Sequence, residues 1–206
     1  MDGDKYKNIL EKKERRAQFL PTLRFALKMG FPCTIKMKQI GKANRVIDFE
    51  LIPASSWCNN LRNILTRQQW TNISKVVRNK TDGHCEICGR NVKTLHAHET
   101  WEFDDITNVQ KLIKIRAVCP ICHSTIHIGR SAILGKELPA LKWYAKLNNI
   151  SFEEAKSDEN KALEVYEQRS KINWNIDINE NYIRQLVNFS DDEFNAIVRK
   201  IQNNKK

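Results

Sequence analysis

Three features of the sequence together predict an α+β fold built around a bound metal ion. Four of the six cysteines form two Cys-x-x-Cys pairs, Cys85/Cys88 and Cys119/Cys122. Apolar and polar residues alternate with the period of a β-strand before and between these pairs, whereas apolar residues in the C-terminal third follow helical spacing. We therefore expect a zinc-stabilised α+β core preceded by a β-hairpin and followed by a helical extension.

The same features divide the chain into three predicted parts. Residues 1–54 are expected to form an N-terminal helical arm and a β-hairpin, residues 55–132 a zinc-binding domain, and residues 133–206 a helical extension. The hairpin prediction rests on alternation in residues 34–40 and 45–52, on either side of the turn sequence Gly-Lys-Ala-Asn.

Capping signals and apolar periodicity predict the helices. Thr66 followed by Gln69 has the form of an N-terminal capping box, and the apolar residues after it predict a helix that runs to about Lys80. Ser190 and Glu193 repeat that signature and predict a final helix. Two more helices are marked by apolar residues, Leu138, Leu141, Tyr144, Ala145 and Leu147 in one, and Ala162, Leu163, Tyr166 and Ile172 in the other.

The charge of the chain favours contact with polyanions such as nucleic acid. The sequence has 35 Lys and Arg against 24 Asp and Glu, a formal net charge of +11. Basic residues are concentrated beside and within the first cysteine pair: Arg62, Arg67, Lys75, Arg78, Lys80, Arg90 and Lys93, against Asp82 and Glu86.

Neither a membrane nor a secretory role is expected. No apolar run approaches the roughly 20 residues that span a bilayer, and the residues after Met1 do not have the form of a secretory signal. A cytoplasmic protein is the expectation. In a chain of this kind, paired cysteines indicate metal binding rather than disulfides.

The two cysteine pairs predict a structural Zn²⁺ site. Zinc prefers four soft ligands in a tetrahedron, and two Cys-x-x-Cys knuckles supply four thiolates. Gly89 follows the first pair and permits the tight turn of a zinc knuckle. The pairs are further apart than the roughly 15 to 20 residues of a simple zinc ribbon, so a folded segment is expected between them. Cys33 and Cys58 fall outside the pattern and are predicted to be ordinary apolar residues.

A histidine-containing strand is predicted between the cysteine pairs. Alternation from Leu95 onward places His96 and His98 on one face and Glu99 on the other, unless the strand ends or bulges at His98. We place His98 where this strand meets a turn.

Two further histidines complete a candidate second metal site. His123 and His127 are four residues apart, which puts them on one face of a helix that starts at the second cysteine pair. If the cysteines bring the strand and this helix together, His98, His123 and His127 converge on one divalent ion. His123 could instead serve the structural zinc. His84 and His96 are expected to be ordinary structural or surface residues.

Several motifs between residues 53 and 178 carry a resemblance to a known family. They are Ser56-Trp57-Cys58-Asn59-Asn60-Leu61-Arg62, Cys85-Glu86-Ile87-Cys88-Gly89, His98-Glu99-x-Trp101-Glu102-Phe103-Asp104-Asp105, Val109-Gln110-x-Leu112, Cys119-Pro120-x-Cys122-His123-x-x-x-His127-x-Gly129-Arg130, and Arg169-Ser170 to Trp174. In these residues the chain resembles the HNH (ββα-metal) endonuclease superfamily, and more closely a group of uncharacterised bacterial and phage HNH-like zinc proteins.

The resemblance implies roles for particular residues. In HNH nucleases with a histidine triad, one metal-binding histidine comes from the second strand and two come from the helix, which carries these roles to His98, His123 and His127. The general base usually follows the strand ligand directly, and Glu99 stands there in place of the usual histidine. In an alternative register His98 is the base and Ala97 takes the ligand position. The family's middle asparagine is absent, and Lys114 occupies about that position.

The function implied by the resemblance is metal-dependent hydrolysis of DNA phosphodiester bonds, in a bacterial or phage-infected cell. The catalytic residues would be His98 and Glu99, and the second ion would be Mg²⁺, Mn²⁺, Ni²⁺ or Zn²⁺. Arg116 and Arg130 are candidate phosphate contacts. The alternative is a catalytically inactive HNH-like zinc module that binds nucleic acid or a protein partner, with a role in phage–host conflict. The missing asparagine and the unusual base position favour that alternative.

Overall fold

The computed structural model describes residues 45–187 and 189–203. These residues contain eight α-helices, one 3₁₀ turn and a three-stranded sheet. The strands are β1 (His96–Asp104), β2 (Val109–Val118) and β3 (Asn175–Ile178). The helices are α1 (Leu61–Ile64), α2 (Arg67–Asn79), α3 (Pro120–Ile126), α4 (Ile128–Ile133), α5 (Glu137–Asn148), α6 (Phe152–Arg169), α7 (Glu180–Leu186) and α8 (Asp191–Asn203). The predicted α+β class is confirmed.

A long hairpin leads directly into a helix at the centre of the chain. Strands β1 and β2 are antiparallel, with a register shift between Thr100 and Trp101. Asp104 closes their turn, because its carboxylate accepts hydrogen bonds from the backbone of Ile106 at 2.9 Å and from the hydroxyl of Thr107 at 2.6 Å. Cys119 then follows β2 and precedes α3. The segment between the cysteine pairs is therefore folded, as its length predicted.

The C-terminal part of the chain supplies the third strand. Strand β3 runs parallel to β2 and pairs with residues 109–112. Beyond that pairing, the Tyr182 hydroxyl takes the place of a neighbouring strand: it accepts from Ile115 N at 2.7 Å and donates to Ile115 O at 3.2 Å. Neither β3 nor α7 was predicted, since each is short and lies in a polar stretch.

Most of the predicted helices are present. Thr66 and Gln69 form a reciprocal capping box at the start of α2, and Ser190 and Glu193 make the same pair of hydrogen bonds before α8. Helices α5 and α6 correspond to the two apolar stripes, although Ile172 lies beyond the end of α6. In the described part of the chain no helix is both long and apolar enough to cross a membrane.

Residues 45–53, here called the strap, contain no strand, so the second strand of the predicted hairpin is wrong. The first predicted strand, residues 34–40, lies outside the described residues. Asn148 Oδ1 accepts from Val46 N at 2.9 Å and Ile47 N at 3.2 Å, and Glu50 N donates to Ile126 O at 2.9 Å. These partners pair the N–H groups of Val46, Ile47 and Glu50 outside any strand of the described residues.

One hydrophobic core joins the hairpin to the helices on either side of it. Six residues at its centre come from six different elements, and each is 0 or 1 % exposed. They are Leu61, Ile73, Leu112, Ile126, Tyr144 and Ile183. The helices after residue 132 therefore pack against the same core as the cysteine-containing segment.

Candidate metal centres

The structure brings the four predicted cysteines together. The Sγ atoms of Cys85, Cys88, Cys119 and Cys122 all lie within 4.8 Å of one another, and the Cys88 and Cys119 sulfurs are 3.7 Å apart. A tetrahedral zinc ion with bonds of about 2.3 Å separates its sulfur ligands by about 3.8 Å. The cluster thus has the composition and spacing to hold a structural metal ion such as zinc.

Local backbone geometry explains how the first pair forms. Gly89 has a φ of +70°, which an L residue rarely adopts. This turn lets Gly89 N donate to Cys85 O at 2.8 Å and Cys85 N donate to Arg90 O at 3.0 Å. Both thiols of the pair are thereby presented on one side of a tight loop.

Nitrogen donors surround the sulfur atoms. Cys119 N donates to Cys85 Sγ at 3.3 Å, and the Trp143 indole donates to Cys122 Sγ at 3.3 Å. The Arg90 guanidinium donates to Cys119 Sγ at 3.6 Å and lies over the Trp143 ring. Such donors compensate thiolate charge and orient the ligands.

Burial and hydrogen bonding act in opposite directions on the thiols. Burial raises the pKa of the Cys85 and Cys122 thiols. At Cys88 burial also acts to raise the pKa, but hydrogen bonds from the backbone and guanidinium of Arg90 and from neighbouring thiols outweigh it and lower the pKa to about 6. A bound cation stabilises all four thiolates, so metal binding and folding should be coupled.

We expect replacement of both Cys85 and Cys122 by Ser to abolish structural metal binding and cooperative folding. Structural zinc contributes an apparent binding free energy of about 10–16 kcal/mol in small zinc domains, as large as the whole free energy of unfolding of a typical domain. Elemental mass spectrometry and circular dichroism would measure the two losses.

Cys58→Ser is the matched control, because Cys58 is exposed and outside the cluster. It should keep both the ion and the fold. A Cys85/Cys122 variant that unfolds as cooperatively as the native protein, without metal, would contradict the structural role.

The three predicted histidines also meet. Ring nitrogens of His98, His123 and His127 lie within 4.8 Å of one another. Two details of the prediction are wrong: His98 lies on β1, the first strand of the hairpin rather than the second, and β1 continues past it to Asp104. His127 follows the last residue of α3 and has φ −89° and ψ 52°, so it caps the helix rather than lying within it.

Burial keeps two of these imidazoles neutral. Burial, together with the neighbouring imidazoles and Arg130, lowers the pKa of His123 to about 3 and that of His127 to about 4. Neutral imidazole is the form that binds a metal ion. At neutral pH both side chains are therefore able to act as ligands.

His96, expected to be an ordinary residue, joins this cluster. Its Nδ1 lies 3.0 Å from Nδ1 of His123. Burial and the charges of Arg78 and Arg130 lower its pKa. The alternation that put His96 on the same face as His98 was the signal for this placement.

Glu50 is a residue of the site that sequence reasoning missed. Its carboxylate contacts His98 Nε2 at 3.0 Å and accepts from Arg116 Nη2 at 2.9 Å. Arg116 Nε donates in turn to Thr100 Oγ1 at 2.9 Å. If His98 donates from Nε2 to the carboxylate, its Nδ1 keeps a lone pair for a metal ion. Arg116 is engaged in holding Glu50, in contrast to its predicted role at a phosphate.

The structure does not bring Glu99 to the histidine cluster. Glu99 projects from the opposite face of β1 from His98, where its Oε2 accepts from Leu61 N at 3.1 Å and from Trp101 Nε1 at 3.0 Å. Its carboxylate therefore ties the start of α1 to β1, which does not support the base role expected for it. Trp101 is 8 % exposed, in keeping with packing.

The pH dependence of stability provides a test of this structural role for Glu99. Burial raises the pKa of Glu99 above its ordinary 4.5, so the folded state holds this proton more tightly than the unfolded state. The native protein should then lose stability relative to Glu99→Gln as pH rises above about 4.5. Urea unfolding at several pH values measures the difference.

Glu102→Gln, an exposed change on the same strand, should show no such trend. If the histidines bind a metal ion, both variants should bind it as the native protein does. Loss of histidine-site metal in Glu99→Gln alone would show that Glu99 belongs to that site.

Comparisons with known proteins identify no relative of this chain. No protein-family model, curated protein or solved structure matches it. The resemblance to HNH nucleases remains a prediction, and inferences about function rest on the geometry of the two clusters.

Proposed function

We propose that the protein is a metal-dependent endonuclease of the HNH (ββα-metal) type that hydrolyses phosphodiester bonds in DNA. The convergence of His98, His123 and His127 carries the proposal. One of these residues comes from a hairpin strand and two come from the helix that follows it, and the cysteine cluster fixes the start of that helix. The resemblance implies the same combination of strand and helix histidines, although His98 comes from the first strand of the hairpin and His127 caps the helix.

The residues present fit a second divalent ion. His98, His123 and His127 would hold it, because their ring nitrogens are close together and two of the rings are neutral at pH 7. Three imidazoles suit Zn²⁺ or Ni²⁺ better than Mg²⁺. When bound, such an ion would neutralise charge on the scissile phosphate and stabilise the leaving oxygen.

Groups around the cluster supply binding and orientation. Arg130 is exposed, and its charge acts on His96, His123 and His127. It forms no ion pair among the described residues, so it is available to a phosphate oxygen. Glu50 fixes the orientation of the His98 ring, and His96 does the same for His123.

Binding without turnover is the second candidate function. It is favoured by one observation, the placement of Glu99 on the opposite face of β1 from the histidines. In that case the zinc core would be a scaffold that holds nucleic acid or a protein partner.

A plasmid-nicking assay combined with metal analysis separates the two candidates. We expect the native protein to hold a structural ion and a second ion and to nick DNA. The His98→Ala/His123→Ala/His127→Ala variant should keep the first ion and lose both the second ion and nicking.

His84→Ala is the control, since His84 is exposed and outside the cluster. It should nick like the native protein. A native protein that holds one ion and nicks nothing in Mg²⁺, Mn²⁺, Ni²⁺ or Zn²⁺ would overturn the nuclease proposal and favour the binding module.

Substitution of Glu50 by Gln tests the role of His98. Loss of a carboxylate that hydrogen-bonds a metal ligand typically lowers metal affinity 10- to 100-fold. Glu50→Gln should therefore lower the affinity for the second ion by about that factor in a competitive chelator titration. Glu102→Gln, exposed on β1, should leave metal affinity unchanged.

If Glu50→Gln keeps the native metal affinity but nicks DNA more slowly, the conclusion changes. His98 would then be the general base, with Glu50 as the group that orients it. That outcome would contradict the metal-ligand role of His98.

A further inference from the structure

A row of positive charge lies along one edge of α2. Arg67, Lys75 and Arg78 fall within an arc of about 80° when successive residues turn by about 100°. Arg67 and Lys75 are exposed and Arg78 is half-buried. The row is about 16 Å long at 1.5 Å per residue.

These cations are not neutralised by the protein. Among the described residues, no ion pair involves Arg67, Lys75 or Arg78. Other cations of the chain are paired, as in Arg45 with Asp158 and Arg169 with Asp105. The charge along α2 is therefore available to an external anion.

An open groove continues this row at the C-terminal end of α2. It has a volume of about 480 Å³, and its lining includes Arg78, Lys93, Asp82 and Leu95. The two cations outnumber the one acid. Leu95 directly precedes His96, the first residue of β1, so the groove reaches the start of the strand that carries His98.

We propose that the α2 edge and this groove form a phosphate track, comprising Arg67, Lys75, Arg78 and Lys93, which binds the backbone of a duplex nucleic acid and leads one strand to the histidine cluster. This choice of ligand rests on the proposed nuclease function. At about 3.4 Å of helix axis per phosphate on one strand, a row of about 16 Å spans roughly five phosphates.

The side chains favour a duplex over a single strand. Proteins that bind single strands use exposed aromatic rings on which bases stack. Among the described residues, the large apolar side chains that are exposed include none between positions 58 and 105. The track therefore offers charge without stacking surfaces.

Two variants with equal charge provide the test. Arg67→Gln/Lys75→Gln/Arg78→Gln removes three charges from the track. Lys136→Gln/Lys142→Gln/Lys171→Gln removes three charges from exposed lysines outside the track. Binding of a labelled DNA duplex and of its single strand is followed by fluorescence anisotropy without added divalent ions, between about 50 and 200 mM salt.

We expect the track variant to bind the duplex at least about tenfold more weakly than the control at the lowest salt. The slope of log affinity against log salt should become shallower by about 2.7, or 0.9 for each lost phosphate contact. The slope of the control should differ from the native slope by no more than about 0.9, the value of one phosphate contact.

Equal losses in the two variants would show that net charge alone matters and would overturn the track. A native protein that binds no duplex, or binds the single strand more tightly through the same residues, would also overturn it. Nicking separates this proposal from the nuclease function. If the native protein nicks and the track variant binds normally, the track alone fails; selective loss of binding without native nicking means that the nuclease function alone fails.

Discussion

The closure of one loop by four sulfur atoms is the constraint on which the rest of the structure depends. Cys88 and Cys119 are 31 positions apart in sequence, and their sulfurs are 3.7 Å apart. Strands β1 and β2 lie within that loop, and α3 begins where it closes. Because the hairpin and the helix are fixed together there, histidines from the two elements meet. The entropy lost on closing such a loop is offset when one cation binds all four thiolates.

Local signals accounted for the parts of the fold that the sequence predicted. The capping boxes at Thr66 and Ser190 involve residues three apart, and each cysteine pair is recognised by its Cys-x-x-Cys spacing. Contacts between distant segments carried no such signal. Glu50 precedes His98 by 48 positions, and only the fold shows that the two side chains touch. For the same reason alternation in the strap could not show whether a partner strand was present.

Periodicity correctly predicted which histidines lie together, whereas the role given to Glu99 by analogy stays a prediction that its position does not support. Helical and strand spacing placed His98, His123 and His127 on faces that do meet. Glu99 was assigned a role by its place next to His98, but adjacent residues of a strand point to opposite faces. Its carboxylate is accordingly used to hold Leu61 and Trp101.

Positive charge and burial act together around the histidines. Arg78 and Arg130 disfavour protonation of the nearby rings, and the same charges attract an anion to the rings they keep neutral. Glu50 offsets part of this positive charge, because its carboxylate pairs with Arg116 and acts against the lowering of the His127 pKa.

Strand β3 has a consequence for any attempt to shorten the protein. It comes from residues 175–178 yet covers the outer edge of β2 at residues 109–112. A fragment that stopped before β3 would leave that edge with unpaired N–H and C=O groups, and such an edge is a template for association with the same edge of another molecule. A fragment that keeps this edge covered should therefore extend well beyond the cysteines and histidines, through β3 and Tyr182.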